Sequence, residues 1–221
     1  PGGMQQGLLR SRCGRNSPLD ITATVEDRAT MLEVVRRVAN VATVPFTVGG
    51  GIRDCLSADA VLAAGADRVS TSSAAFRKPE VIAEMIRAFG RDRVTVAIDA
   101  AINTAMPSGY EVFIDGGRTA TGKDAIEWAK QVSDYGAATI LPTSKSTDGV
   151  RTGYDLPLIR KIREITEADV VASGGAGTLE HFYEAVQSGA TVLLAASVFH
   201  FKVITIPELK SYLSGKGVPV L

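Results

Sequence analysis

The chain repeats itself half a barrel apart. Val44-Pro-Phe-Thr-Val-Gly-Gly-Gly-Ile52 is echoed by Asp169-Val-Val-Ala-Ser-Gly-Gly-Ala-Gly177. Each glycine cluster is followed by a short helical run, a Gly-Ala pair (Gly65-Ala66, Gly189-Ala190) and an apolar strand. Each copy then closes on small or hydroxyl residues, Ser70-Thr-Ser-Ser-Ala74 and Ala195-Ala-Ser197. Two copies of a strand, glycine turn, helix, strand unit specify a duplicated parallel α/β architecture with two equivalent anion sites.

The periodicities along the chain agree with that reading. Leu19-Asp-Ile-Thr-Ala23 reads as a buried strand, and Thr24-Val-Glu-Asp27 resembles a capping box opening a helix with Met31, Val34, Val35 and Val38 on one face. Strands are expected at 45–48, 68–70, 94–98, 139–141, 169–172 and 191–194. Helices are expected at 59–64, from Pro79 to Gly90, and at 124–135, 156–165, 179–187 and about 207–213. Tyr110, Val112 and Ile114 alternate before Asp115-Gly-Gly117, which predicts a small hairpin decorating the loop after the 94–98 strand. Overlaying the halves pairs 19–23 with 139–141, 44–48 with 169–172 and 68–70 with 191–194, and leaves 94–98 without a partner. The fold expected is therefore a TIM (β/α)8-type barrel built from two half-barrels, with seven strands legible and the first strand and helix missing. Residues 1–18 form a non-matching segment with neither period, and 19–221 an incomplete barrel domain. The proline start suggests a fragment or a frame boundary. Unpaired edges on two strands then predict instability or self-association that completes the sheet in trans.

Composition narrows the function. The 221 residues, 45% of them hydrophobic, suffice for one core. Acidic and basic residues balance at 24 each without a basic stripe, which argues against nucleic acid. With no apolar run long enough to span a bilayer and no signal-like start, the protein reads as cytoplasmic and free of the membrane. Cys13 and Cys55 lack metal spacing and read as reduced thiols.

The chemistry gathers at strand ends. Gly50 and Gly51, with Thr47 at the end of the same strand, form a turn whose bare backbone N–H groups can close on a phosphate. Glycines permit such a turn with or without a ligand, and it is the second copy, Ser173, Gly174 and Gly175, that favours an anion. In barrels of this kind a phosphate lies between the loops after consecutive strands, pairing Gly51 with Ser72 and Ser73, and Gly175 with Ala196 and Ser197. Asp99 follows a wholly apolar strand and suits general acid or base work at the rim, or caps a loop. Asp20 is an inward polar group or shapes the rim, and Asp148-Gly149 is a turn pair. His181 and His200 lack any accompanying ligand set, so packing or surface roles are expected and no metal is implied.

These strings resemble the cyclase subunit of imidazole glycerol phosphate synthase, from histidine biosynthesis. The resemblance rests on Leu19-Asp-Ile-Thr-Ala23, Pro45-Phe-Thr-Val-Gly-Gly-Gly-Ile52, Ala97-Ile-Asp-Ala100, Gly153-Tyr-Asp155, Ala172-Ser-Gly-Gly-Ala-Gly177, Glu180-His-Phe182 and Leu194-Ala-Ala-Ser-Val-Phe-His-Phe201. The sister isomerase shares barrel and phosphate sites, but the Ser-Val-Phe-His-Phe ending favours the cyclase. The resemblance implies a lyase without a cofactor. It takes ammonia from a glutaminase subunit and converts a bis-phosphorylated formimino carboxamide ribotide into imidazole glycerol phosphate and aminoimidazole carboxamide ribotide. It implies two phosphate sites at the positions above, with Asp148 and Gly149 among the substrate contacts, and Asp99 as one of two proton-handling aspartates.

The chain also departs from the family. The first aspartate belongs to a first strand that nothing in 1–18 matches, so turnover at least ~10²-fold below an intact cyclase is expected. Ser146-Thr-Asp-Gly-Val150 keeps only Asp148 and Gly149 of the family's acidic loop, Ser72 stands for an asparagine beside the first phosphate, and Pro142 removes one ladder N–H. The alternative reading is a catalytically dead barrel that binds phosphate or docks a glutaminase.

Overall fold

The computed structural model describes residues 25–220 and the side chains of residues 31–220. Asp20, the strand expected at 19–23, Cys13 and the segment 1–18 lie outside the described residues. Six parallel strands run in the order β1 (Thr47–Gly49), β2 (Arg68–Thr71), β3 (Val94–Ile102), β6 (Thr139–Ser144), β7 (Asp169–Ala172) and β8 (Val192–Leu193). The hairpin strands β4 (Tyr110–Ile114) and β5 (Thr119–Asp124) branch off β3 and bring the sheet to eight strands among the described residues. Helices α1 (Val25–Ala39), α2 (Cys55–Ala63), α3 (Ser73–Arg77), α4 (Glu80–Phe89), α5 (Ala125–Asp134), α6 (Leu156–Ile165), α7 (Leu179–Gln187), α8 (Ser197–His200) and α9 (Ile206–Gly215) fill the connections. No described helix is long and apolar enough to cross a membrane.

Strand alternation sorts the side chains into two populations. Val96, Ile98, Ile140 and Val170 share one face and are essentially fully buried with Ile82, Met85, Val132 and Ile162 of the helices. Residues in the opposite phase, Ala97, Asp99, Leu141 and Thr143, line the interior cavity described below. Caps fix where the helices begin. Asp124 accepts from the N–H groups of Ile126 and Glu127, and Asp155 from that of Leu158.

Two differences from the sequence-based expectation concern the site. The strand expected at 94–98 runs on to Ile102, because β4 pairs antiparallel with Asp99–Ile102. β6 holds the other edge of β3 through Ala100, so β4 takes the edge that β2 leaves after Thr71↔Val96. Asp99 therefore lies where the parallel strand becomes one side of a hairpin, rather than at a strand terminus. The short helices α3 and α8 are the second difference, since five and four residues carry no readable period. At Pro142 the ladder to β3 is continuous through Ile98. The ladder to β7 stops after Ile140↔Val170 and resumes only as an isolated bridge, Thr143↔Ser173. The gap brackets the residue that has no N–H to donate.

Candidate active site

The two glycine loops share a backbone design. Gly50 and Gly51 have φ of 95° and 69°, and Gly174 and Gly175 have 82° and 106°, left-handed at matching positions. Three residues past Gly51 and Gly175 stand the helix N-caps Asp54 and Thr178, each in a capping box. Ser57 Oγ accepts from the N–H groups of Arg53 (2.9 Å) and Asp54 (3.0 Å). In the second copy His181 Nδ1 accepts from Gly177 (3.1 Å) and Thr178 (3.3 Å). His181 is thus the counterpart of Ser57, a capping residue whose acceptor nitrogen carries no proton in this arrangement.

The loops open onto a cavity of about 1070 Å³ at the C-terminal ends of the strands. Gly50, Gly51, Ser72 and Ser73 line it after β1 and β2; Ser173, Gly174, Gly175, Ala196 and Ser197 line it after β7 and β8. Asp99 on β3, and Asp148 and Gly149 after β6, line it between those groups in the sheet order. Thr47 is not among the lining residues. It pairs with Arg68, two residues before the Gly49↔Ser70 pair, and so lies buried one layer beneath the cavity floor. No described group of three or more His, Cys, Asp or Glu is placed to hold a metal ion.

Asp99 is electrostatically unusual. Burial pushes its carboxyl above the ordinary value of 3.8, the Asp148 carboxylate pushes the same way, and the Lys145 ammonium pulls it back. The folded protein therefore holds this proton more tightly than the unfolded chain. The stability linked to it is complete below the ordinary carboxyl value and is lost as pH rises through the raised one. At neutral pH the charged Asp99 costs stability, so Asp99→Asn is expected to melt above the parent. The gain should vanish when the pH is lowered past the carboxyl range. Thermal melts of both proteins across pH check this; equal melting temperatures at every pH would contradict it.

The structure brings in residues that the sequence did not single out, most of them cations. Arg53, Arg77, Arg118, Lys145 and Arg151 all line the cavity. Arg77 Nη2 donates to both Asp115 oxygens at 2.7 Å and holds that carboxyl below its usual range, while the Asp115 N–H donates to Ser73 Oγ at 2.8 Å. Arg151 Nε donates to Ser197 Oγ at 3.1 Å, and its guanidinium lies 5.6 Å from the Phe201 ring centre. Each candidate anion site thus carries a serine tied to a guanidinium, directly at Ser197 and through Asp115 at Ser73. A signal was present in the sequence: Arg53 and Arg151 each stand two residues after a turn glycine, Gly51 and Gly149.

The chain resembles known proteins over most of its length. Residues 17–205 match the family model described as histidine biosynthesis protein. The chain is 49% identical over 202 residues to imidazole glycerol phosphate synthase subunit HisF of Pyrobaculum aerophilum, covering 91% of this chain and 79% of that protein. It is 50% identical over 204 residues to the subunit of the same name from Salinispora tropica, covering 91% and 80%. The Thermobifida fusca subunit is 47% identical over 205 residues, with 91% and 80% covered.

Proposed function

The chain belongs to the histidine biosynthesis protein family, and on that premise we infer that it is the cyclase subunit of imidazole glycerol phosphate synthase, a lyase. It takes ammonia from a glutaminase partner and converts the bis-phosphorylated formimino carboxamide ribotide to imidazole glycerol phosphate and aminoimidazole carboxamide ribotide. The observation that carries this assignment to particular residues is one cavity with a serine and glycine anion site on either side of the inward carboxylates Asp99 and Asp148.

The phosphates sit at Gly50, Gly51, Ser72 and Ser73 on one side and at Ser173, Gly174, Gly175, Ala196 and Ser197 on the other. Asp99 moves protons at the ribotide between them, and Asp148 and Gly149 close over it. Burial and the Asp148 carboxylate raise the Asp99 carboxyl above its ordinary value, the direction that suits a group that must accept a proton and release it. Thr47, Thr95 and Thr139 are buried beneath the cavity on the inward phase of β1, β3 and β6, and Ser70 of β2 lies on the cavity wall in the same phase. Their hydroxyls can donate to and accept from ammonia on its way up the barrel.

Each product keeps one phosphate, so the two sites can be tested separately. Ser73→Asp sets a carboxylate against one phosphate and Ser197→Asp against the other, each costing about tenfold or more in affinity. Measured by calorimetry, each substitution should weaken one monophosphate product and spare the other, and both should weaken the bis-phosphorylated substrate. Equal weakening of both products by either substitution would contradict two separate sites.

A further inference from the structure

Lys145 is not among the residues assigned above to the phosphate sites or to ammonia supply, yet its side chain spans the strand that bears Asp99. Its backbone N–H donates to Ala100 O at 2.8 Å, which anchors it on the β6 edge of β3. Its ammonium lies 3.8 Å from the ring centre of Phe113, and Phe113 is the register partner of Asp99 on the opposite edge. Between those points its methylenes lie along Gly117, 3.5–3.7 Å from where a Cβ would stand, and Nζ donates to Gly117 O. Asp99, Thr143 and Lys145 share one strand phase, all three lining the cavity.

The ammonium is therefore seated by the hairpin, on an aromatic face and a carbonyl that cannot neutralise it. The charge it is free to balance lies in the cavity. Asp99 and Asp148 are the acidic groups acting on each other there, and Lys145 is the cation acting on Asp99. The other charged residues of the cavity wall are Arg53, Arg77, Asp115, Arg118 and Arg151. Arg77 is occupied with Asp115, and Arg151 with Ser197 and Phe201.

We propose that Lys145 is a positioning residue that acts through Asp99, its ammonium held across β3 by Phe113 and Gly117 so that it balances the adjoining carboxylates of Asp99 and Asp148. The hairpin then has a defined purpose: it supplies the seat for the cation that keeps the proton-handling carboxylate in service. The proposal rests on Asp99 being the group that moves the proton.

Three variants of the full chain, assayed with ammonium and the ribotide from acid to alkaline pH, decide it. Lys145→Met keeps the alkyl packing on Gly117 and Phe113 but loses the charge. It should lower kcat about tenfold near neutral pH, change KM less than about threefold, and move the limb of the pH profile set by Asp99 to higher pH. Lys145→Arg should restore the parent profile. Phe113→Leu, which removes the seat and keeps the lysine, should shift the limb the same way by less; it serves if Lys145→Met fails to fold. An unmoved limb in Lys145→Met, or in Phe113→Leu where that variant stands in, would show that Lys145 only fastens the hairpin and would overturn the proposal. Asp99→Asn run alongside separates the two readings. If it loses activity while the limb stays put, only the Lys145 inference fails; if it stays active, the role of Asp99 fails with it.

Discussion

Asp99→Asn is expected to bind the bis-phosphorylated ribotide with nearly the parent affinity and to turn it over at least ~10²-fold more slowly. The amide is isosteric with the carboxylate and keeps its place between Phe113 and Thr143, the partners of residue 99 on β4 and β6. It cannot take a proton and hand it on. The binding energy of the substrate comes mainly from the two phosphate ends, which the substitution does not touch, so kcat falls and KM stays close to the parent. Because the same variant is expected to melt higher at neutral pH, loss of turnover cannot be charged to misfolding. Steady-state kinetics beside a melt of the same preparation gives both numbers. A variant within tenfold of parent kcat would remove Asp99 from the chemistry.

Gly175→Ala is expected to cost about 4 kcal/mol, enough to leave little folded protein in a marginal barrel. Two causes add. Residue 175 has φ of 106°, outside the region that L side chains tolerate. A Cβ there would lie 2.0 Å from Gly153 O and 3.0 Å from Thr147 Cβ. The first obstacle is backbone, held in place by the Gly153 N–H donating to Gly175 O at 2.8 Å, so it cannot swing away. Gly149→Ala is the matched control, since φ is 77° and nothing lies within 4 Å. It should cost only the backbone strain, on the order of 1 kcal/mol. Urea unfolding of the pair measures the difference. Equal costs would mean that the loop relaxes freely, and that close packing does not explain this glycine.

The contrast marks where the sequence was readable. The echo around Gly50–Gly51 and Gly174–Gly175 is local, and both copies adopt left-handed turns ahead of capped helices at the same spacing. The strands of the parallel row and the major helices followed from period and caps, which are also local. What the echo could not show is which neighbour each glycine admits. Gly174 lets Asp148 approach, its absent Cβ standing 3.2 Å from Asp148 Cα, and Gly175 admits Gly153. The loop after β6 is thus packed on the second glycine loop. Thr47 illustrates another limit. Strand alternation gives the face a side chain takes, but its height in the barrel depends on register with β2, a contact made across 21 residues of chain.

The acidic and basic groups of the cavity were the least legible. Asp99 could be chosen because it ends an apolar run, and Asp148 because it precedes a glycine, but nothing in their 49-residue separation predicts that they act on one another. Nothing in the sequence singles out Lys145; it is the β3–β4 register that places Phe113, on whose ring its ammonium sits, beside Asp99. The hairpin itself was readable from Tyr110, Val112 and Ile114. Its pairing with the far end of β3 was not, because β3 had first to release that edge from β2.

The most direct test of the whole account is to supply the purified chain with the bis-phosphorylated ribotide and an ammonium salt, without glutamine, and to follow both products by mass spectrometry. The account predicts imidazole glycerol phosphate and aminoimidazole carboxamide ribotide in equal amounts, rising with ammonia and absent without it. Saturable binding of the ribotide with neither product formed would contradict it and identify the barrel as a binding subunit.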